Sequence, residues 1–278
     1  MPPDEKIESA LRSAQQLSRS YIPAAEDVEF LMRDELRGLR FALEYHKAEI
    51  MLREWGVRST VIVFGSARTP SPEHLAAMTD AARTEIETAK LEKLRRQARY
   101  YDEAREFGRI VSREGGALTP RQGGRRHNVI ATGGGPGIME AANRGAADVG
   151  APSIGFNIRL LGTETPNLYS TPDLTFQFHY FAMRKMHLAM RSNALAIFPG
   201  GFGTLDELFE MLTLQQTRKA RRRPVVLVGK AYWSRLIAFD FLVEEGVIDA
   251  ADLDLFAIVD TAEEAWAAML EKGLLTRT

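Results

Sequence analysis

The sequence predicts an α/β protein: a doubly wound parallel sheet with helices on both faces and a helical N-terminal extension. Three observations carry this. Short β-branched, apolar runs alternate with longer segments of helical periodicity. Runs such as "STVIVF" (59–64) and "PVVLV" (224–228) are apolar nearly throughout, not at every second position, the pattern of strands covered on both faces. Three runs also end in glycine-containing turns that lead towards helices, as "FGSAR", "TGGGPGIME" and "FPGGFGTLDE"; in a parallel sheet such turns share the carboxyl edge, where open α/β folds bind ligands.

Residues 1–57 read as helices, closed by Gly56 after "DVEFLMRDELRGLRFALEYHKAEIMLREWG". "STVIVFGSAR" (59–68) is a strand feeding a turn. Ser71 and Pro72 suit the N-cap and first turn of a charged helical stretch over 73–114, broken once. After a loop at 119–127 come the strand "NVIATGGG" (128–135), the helix "GIMEAANRGAADVG" and the strand "SIGFNI" (153–158). Residues 159–175, with Gly, Pro, Asn and Thr, read as a loop over a site. Then follow the helix "HYFAMRKMHLAMRS", the strand "NALAIFPGG", a helix over 204–219 and the strand "PVVLVG" (224–229). A helix over 233–245, the strand "LFAIVD" and a helix over 262–272 complete the chain.

Composition removes several classes of function. The 278 residues include no cysteine, which excludes disulfides, thiolate nucleophiles and cysteine zinc sites. The five histidines form no H-E-x-x-H pattern, so no metal site is expected. A net charge of -1 gives no overall pull towards nucleic acid or a membrane surface. The N-terminus is acidic and polar without an apolar core, and no run of 18 apolar residues occurs, so a cytoplasmic protein is expected.

The glycine turns point to a phosphorylated ligand. Glycine lets backbone N–H groups approach a phosphate, and a helix N-terminus adds a favourable dipole. The candidate contacts are Ser66 in the first turn, Gly133, Gly134, Gly135, Gly137 and Met139 in the second, and Gly200, Gly201, Gly203, Thr204 and Asp206 in the third. A dinucleotide site is disfavoured. Gly133-x-Gly135-x-x-Ile138 lacks the third glycine, and "SIGFNI" ends without an acidic residue for a ribose diol. The P-loop pattern is absent.

Glu207 admits two readings. Thr204-Leu-Asp-Glu207 has the form of a capping box. So has Thr261-Ala-Glu-Glu264, which follows no glycine turn and reads as a cap alone. Capping leaves the preceding glycines unexplained. A carboxylate among phosphate-binding donors makes sense if it faces a centre that becomes positive, such as the oxocarbenium-like ribose of N-glycosidic cleavage. Arg184, His187 and Arg191 share a helix face, either as a solvated basic stripe or as cations facing the ligand.

"PGGFGTLDE" with "MRK" (183–185), Arg184 standing 23 residues before Glu207, resembles the LOG ("Lonely Guy") family; "GGGPGIMEAAN" points the same way. The resemblance covers about residues 59–230. These are cytokinin riboside 5'-monophosphate phosphoribohydrolases, often mislabelled lysine decarboxylases. It implies a Rossmann-like domain at 58–278 that assembles at least as a homodimer, with sites near the interface. It further implies Arg184 and Glu207 as the catalytic pair, nucleotide contacts from Lys185, the Gly201–Glu207 turn and Thr213, and no metal or organic cofactor. Glu164, in "RLLGTETPN", would be a further acidic contact. The helical extension, the longer 73–127 segment and "HYFAMRK" look like the longer bacterial branch, where plain AMP or another nucleotide is an alternative substrate.

Two other classes compete. Molybdenum-cofactor carriers use similar glycine turns without hydrolysis; the presence of both Arg184 and Glu207 favours the enzyme. "RKARRR" (218–223) and "RQGGRRH" (121–127) suggest nucleic acid, but neither run interleaves aromatics for stacking. The first suits a solvated helix C-terminus. Nothing marks a Schiff-base lysine with pyridoxal phosphate partners.

Overall fold

A computed structural model of the chain describes residues 3–81, 84–118, 124–159 and 165–276. The chain divides into two compact units, 1–47 and 48–278. The first contains α1 (Pro3–Gln16), α2 (Val28–Leu31) and the first part of α3 (Arg37–Glu54). In it Asp27 caps α2, accepting from Phe30 N at 2.9 Å.

The second unit carries the sheet. In chain order its elements are β1 (Thr60–Phe64), α4 (Pro72–Ala81), α5 (Glu85–Glu114), β2 (Val129–Thr132), α6 (Ile138–Asp148), β3 (Ser153–Ile158) and β4 (Thr175–Phe178). There follow α7 (Phe181–Arg191), β5 (Ser192–Ile197), α8 (Phe202–Gln216), β6 (Val225–Val228), α9 (Lys230–Leu236), α10 (Phe239–Glu244), β7 (Phe256–Val259) and α11 (Ala262–Glu271). Among the described residues seven strands form one sheet, all parallel, in the order β4-β3-β2-β1-β5-β6-β7. β1, β2 and β6 are buried at every residue, as continuous apolar runs require. The predicted doubly wound fold is therefore observed. Its order reverses between β1 and β5, so the crevice of this sheet opens beyond Phe64 and Ile197.

Three element boundaries differ from the sequence reading. The segment read as a loop ends in β4, an edge strand whose Phe176 and Phe178 are buried between exposed Gln177 and half-buried Thr175. Its four residues are too few for alternation to stand out beside the Pro, Asn and Thr before it. The helix predicted over 233–245 is two, α9 and α10, separated at Ile237, whose backbone is extended. The third is α8, which begins at Phe202 with Gly201 as its N-cap, two residues before the predicted Thr204.

α5 and α6 pack closely on one face. Asp148 joins them, accepting from Arg105 Nε at 2.6 Å and from Arg109 Nε at 2.9 Å. Contact is closest at Gly145, where a Cβ would stand 2.0 Å from the Arg105 carbonyl oxygen. That neighbour is backbone and cannot rotate away, so Gly145→Ala must push the helices apart. The expected loss is at least about 2 kcal/mol, the scale of overpacking in a close-packed core. Urea unfolding checks this; an unchanged midpoint would mean that the helices separate freely.

Candidate active site

The turns after β1 and β5 form the floor of a cleft of about 1170 Å³. Phe198 N donates to Phe64 O at 2.8 Å and Ser66 N to Pro199 O at 2.9 Å, so the two turns are hydrogen-bonded side by side. Ser66, Met139, Arg184, Gly200, Gly201, Gly203, Thr204, Asp206 and Glu207, all singled out in the sequence, line this one cleft. Lys185 and Thr213 line an adjoining groove of about 570 Å³ with Phe202, Leu205 and Phe209. Glu164 lies outside the described residues.

The two glycine-rich turns differ. In the second, backbone groups are already engaged: Gly134 N donates to Thr132 Oγ1 at 2.9 Å, Asn167 N donates to Gly134 O at 2.9 Å, and Ile138 N donates to Ser66 O at 3.1 Å. Asn143 locks this turn from below. Its Oδ1 accepts from Thr132 Oγ1 at 2.7 Å and from Asn167 Nδ2 at 3.0 Å, while its Nδ2 donates to Ser153 Oγ at 2.9 Å. Gly133, Gly134, Gly135 and Gly137 thus shape the site from outside the cleft lining. Gly133 leaves room for Arg184, whose Nη2 would stand 3.0 Å from a Cβ there. The third turn is open. Among the described residues, no acceptor is found for the N–H groups of Gly201, Phe202 and Gly203 at the start of α8, as expected for a first helical turn.

The start of α8 decides the first of the two readings of Glu207. With Gly201 at the N-cap, Thr204 is the third helical residue and Glu207 lies in the second turn, so the predicted capping box does not form. Thr261 does cap α11, accepting from Glu264 N at 3.2 Å, while Glu264 accepts from Asp260 N at 2.9 Å. Both groups there serve the helix end; Glu207 serves none.

Instead, Glu207 is buried in the cleft wall at 5% exposure. Its Oε1 lies 4.0 Å from Arg184 Nη2, beyond hydrogen-bond reach, and no donor reaches it among the described residues. Burial pushes its carboxyl up to about 7, against the pull of Arg184 and Lys185. Arg184 is held by its Nε, which donates to Phe156 O on β3 at 3.0 Å. Lys185 is half-buried, which disfavours its charge, but its bonds to Asp206 (2.8 Å) and Glu210 (3.1 Å) leave it raised overall. An amine held protonated is unsuited to Schiff-base chemistry.

The predicted basic stripe is not solvated. His187 is 1% exposed and packs on Phe156 and Phe178. Arg191 forms a two-pronged ion pair with Glu49, both bonds 2.7 Å. Of these three side chains, only Arg184 lines the cleft. Residues missed by the sequence reading are Arg68, Arg96, Arg99, Tyr100 and Tyr232, which also line it.

The fold and the site define an α/β protein with its cleft at the switch point of a parallel sheet. The family described as "Possible lysine decarboxylase" matches residues 139–269. The chain is 37% identical over 90 residues to the "Probable cytokinin riboside 5'-monophosphate phosphoribohydrolase LOG4" of Oryza sativa subsp. japonica, covering 32% of this chain and 39% of that protein. It is 37% identical over 83 residues to the "Cytokinin riboside 5'-monophosphate phosphoribohydrolase LOG3" of Arabidopsis thaliana, covering 29% and 38%. It is 30% identical over 151 residues to the "Probable cytokinin riboside 5'-monophosphate phosphoribohydrolase LOG6" of Arabidopsis thaliana, covering 53% of this chain and 73% of that protein. The chain belongs to the LOG family, and the fold is Rossmann-like. It spans about two fifths of the length of the first two of these relatives.

Two outcomes follow from the geometry. Glu207 binds its proton more tightly in the fold than in the unfolded chain, about 7 against 4.5. The folded state is therefore destabilised as pH rises from about 4.5 through 7, and the loss is complete above that window. Glu207→Gln removes it. The variant should gain on the wild type with rising pH, by up to about 3 kcal/mol at pH 8, in urea unfolding at several pH values. A pH-independent difference would rule out a buried, titrating carboxylate. Second, a Cβ on Gly200 would meet Thr204 Oγ1 at 2.1 Å, whereas one on Gly203 meets nothing within 4 Å. Gly203→Ala should keep or raise the melting point, since alanine is the better helix former by about 1 kcal/mol. If a ligand phosphate approaches this backbone, the same change weakens ligand binding by about 10-fold or more. Unweakened binding would move the phosphate elsewhere.

Proposed function

We propose that this chain is a phosphoribohydrolase, cleaving the N-glycosidic bond of a nucleoside 5'-monophosphate to free base and ribose 5-phosphate. The observation that carries the reading is Glu207: a buried carboxylate, pushed up to about 7, beside Arg184 and next to an open helix N-terminus. The names of the LOG relatives support the same reaction class. The domain proposed to act is 58–278, in the cytoplasm and without a cofactor. The substrate is a cytokinin riboside 5'-monophosphate or AMP.

In this reading the 5'-phosphate sits on the N–H groups of Gly201–Gly203, with Ser66 and Thr204 beside it. The ribose lies against Glu207. Water attacks C1', the C1'–N bond breaks, and the base leaves with its electron pair and takes up a proton. The Glu207 carboxylate stabilises the positive charge that develops on the ribose and accepts the proton of the attacking water. Arg184 favours the charged form of Glu207 against the effect of burial. Lys185 tethers Asp206 and Glu210 along α8. A second copy of the chain is proposed to cover the groove bearing Phe202, which is 93% exposed, with Leu205 and Phe209.

The test is incubation with a panel of nucleoside monophosphates, with free base measured by chromatography. AMP or an N6-substituted AMP should release base, and adenosine far less. The active carboxylate is the charged form, so kcat/KM should rise with pH through about 7 and level above it. Glu207→Gln should lower kcat by roughly 10²-fold or more and abolish that limb. Tight nucleotide binding with no base released from any member of the panel would favour a carrier.

A further inference from the structure

We propose that the cleft contains a second anion subsite, formed by Arg68, Arg96 and Arg99, and that it takes the outer phosphate of a nucleoside 5'-diphosphate. The inference rests on the reading of the cleft as a nucleotide site.

Position comes from the sheet order. Arg184 is fixed to Phe156 on β3 and stands beside Gly133, just past β2. Gly65–Ser66 and Pro199–Gly203 follow β1 and β5, in the middle of the sheet. On the far side is β6, followed by Gly229, where a Cβ would stand 2.8 Å from Tyr100 Oη. Tyr100 carries Arg99, whose Nη2 donates to its hydroxyl at 2.7 Å and whose guanidinium lies over its ring at 4.6 Å. Tyr232, at the start of α9, donates to Gly200 O at 2.6 Å, tying this side to the third glycine turn. The cleft thus runs from Glu207 and Arg184, across the N-terminus of α8, to Arg99. A nucleotide whose ribose meets Glu207 and whose first phosphate meets α8 points its next phosphate at the arginines.

Charge supports the direction. Arg105 and Arg109, on α5 like Arg96 and Arg99, and Arg144 on α6 are each paired with a carboxylate. Among the described residues no carboxylate lies within 4.0 Å of Arg68, Arg96 or Arg99, although all three line the cleft. Among the described residues, the carboxylates that line the cleft are Asp206 and Glu207, both on α8, and none lines it beside the arginines. Size agrees as well. A cleft of about 1170 Å³ exceeds the roughly 300–1,000 Å³ typical of small-molecule sites, with room beyond a monophosphate.

The test is calorimetric titration of the full chain with AMP and with ADP. ADP should bind about 10-fold or more tightly than AMP, the scale of one added charge-assisted contact pair. In Arg96→Ala/Arg99→Ala the ratio should fall to within about 3-fold. Should that double variant lose its melting transition, Arg96→Ala alone serves, because this side chain is exposed; it should lower the ratio measurably. Equal affinities in the wild type, or an unchanged ratio in the variants, overturn the subsite. The phosphoribohydrolase reading fails separately. A diphosphate preference that depends on the arginines, with no base released from any monophosphate, sinks that reading and keeps the subsite; base release without such a preference does the reverse.

Discussion

The arrangement depends on how closely three backbone turns meet at the carboxyl edge of the sheet. Ser66 is the hub: its N–H donates to Pro199 O and its carbonyl accepts from Ile138 N. Only a residue without a side chain fits at Gly137, where φ is +72° and a Cβ would stand 2.3 Å from the Ser66 oxygen. These contacts tie the start of α6 and the entry to α8 to the end of β1, at the place where strand order reverses. They fix the cleft floor before any ligand arrives. A preformed floor matters because donors aligned in advance need no reorganisation when charge appears.

That constraint explains which parts were legible in the sequence. Glycine at a close backbone approach is a local signal, so all three turns could be read. So could the strands of the sheet interior, whose runs are apolar on both faces. β4 could not, since it is four residues long and half-buried, and its membership depends on pairing with β3. The start of α8 was misplaced for a related reason. Thr204 and Glu207 match a cap pattern locally, but the helix begins earlier because Gly200 and Gly201 let the chain turn directly after Phe198. The pattern was right at Thr261, where no glycine turn intervenes.

Within the site, residue types in a spaced motif were visible and long-range partners were not. Arg184 and Glu207 stand 23 positions apart and meet across the cleft. Asn143 ends the "GGGPGIMEAAN" motif, yet its role as the lock beneath a turn needs Thr132, Ser153 and Asn167 from three other segments. Arg96 and Arg99 lay in a charged helical stretch that any reading of periodicity assigns to solvent. Only the sheet order brings that part of α5 over the same crevice. The basic stripe shows the converse: sequence spacing puts Arg184, His187 and Arg191 on one face, and the fold gives them three environments.

The separation of Arg184 and Glu207 sets what the carboxylate can do. A two-pronged pair at 2.7 Å, as Arg191 makes with Glu49, holds a carboxylate below its ordinary range. Such a carboxylate is a poor proton acceptor near neutrality. At 4.0 Å, Arg184 offsets only part of the effect of burial, and Glu207 is left near 7, where acid–base work is most effective. The distance is maintained from elsewhere: the bond from Arg184 Nε to the Phe156 carbonyl restrains the guanidinium on β3, while Glu207 is fixed on α8. Arg184 bonded to β3 and Glu207 on α8 thus leave the carboxylate both buried and able to change its charge.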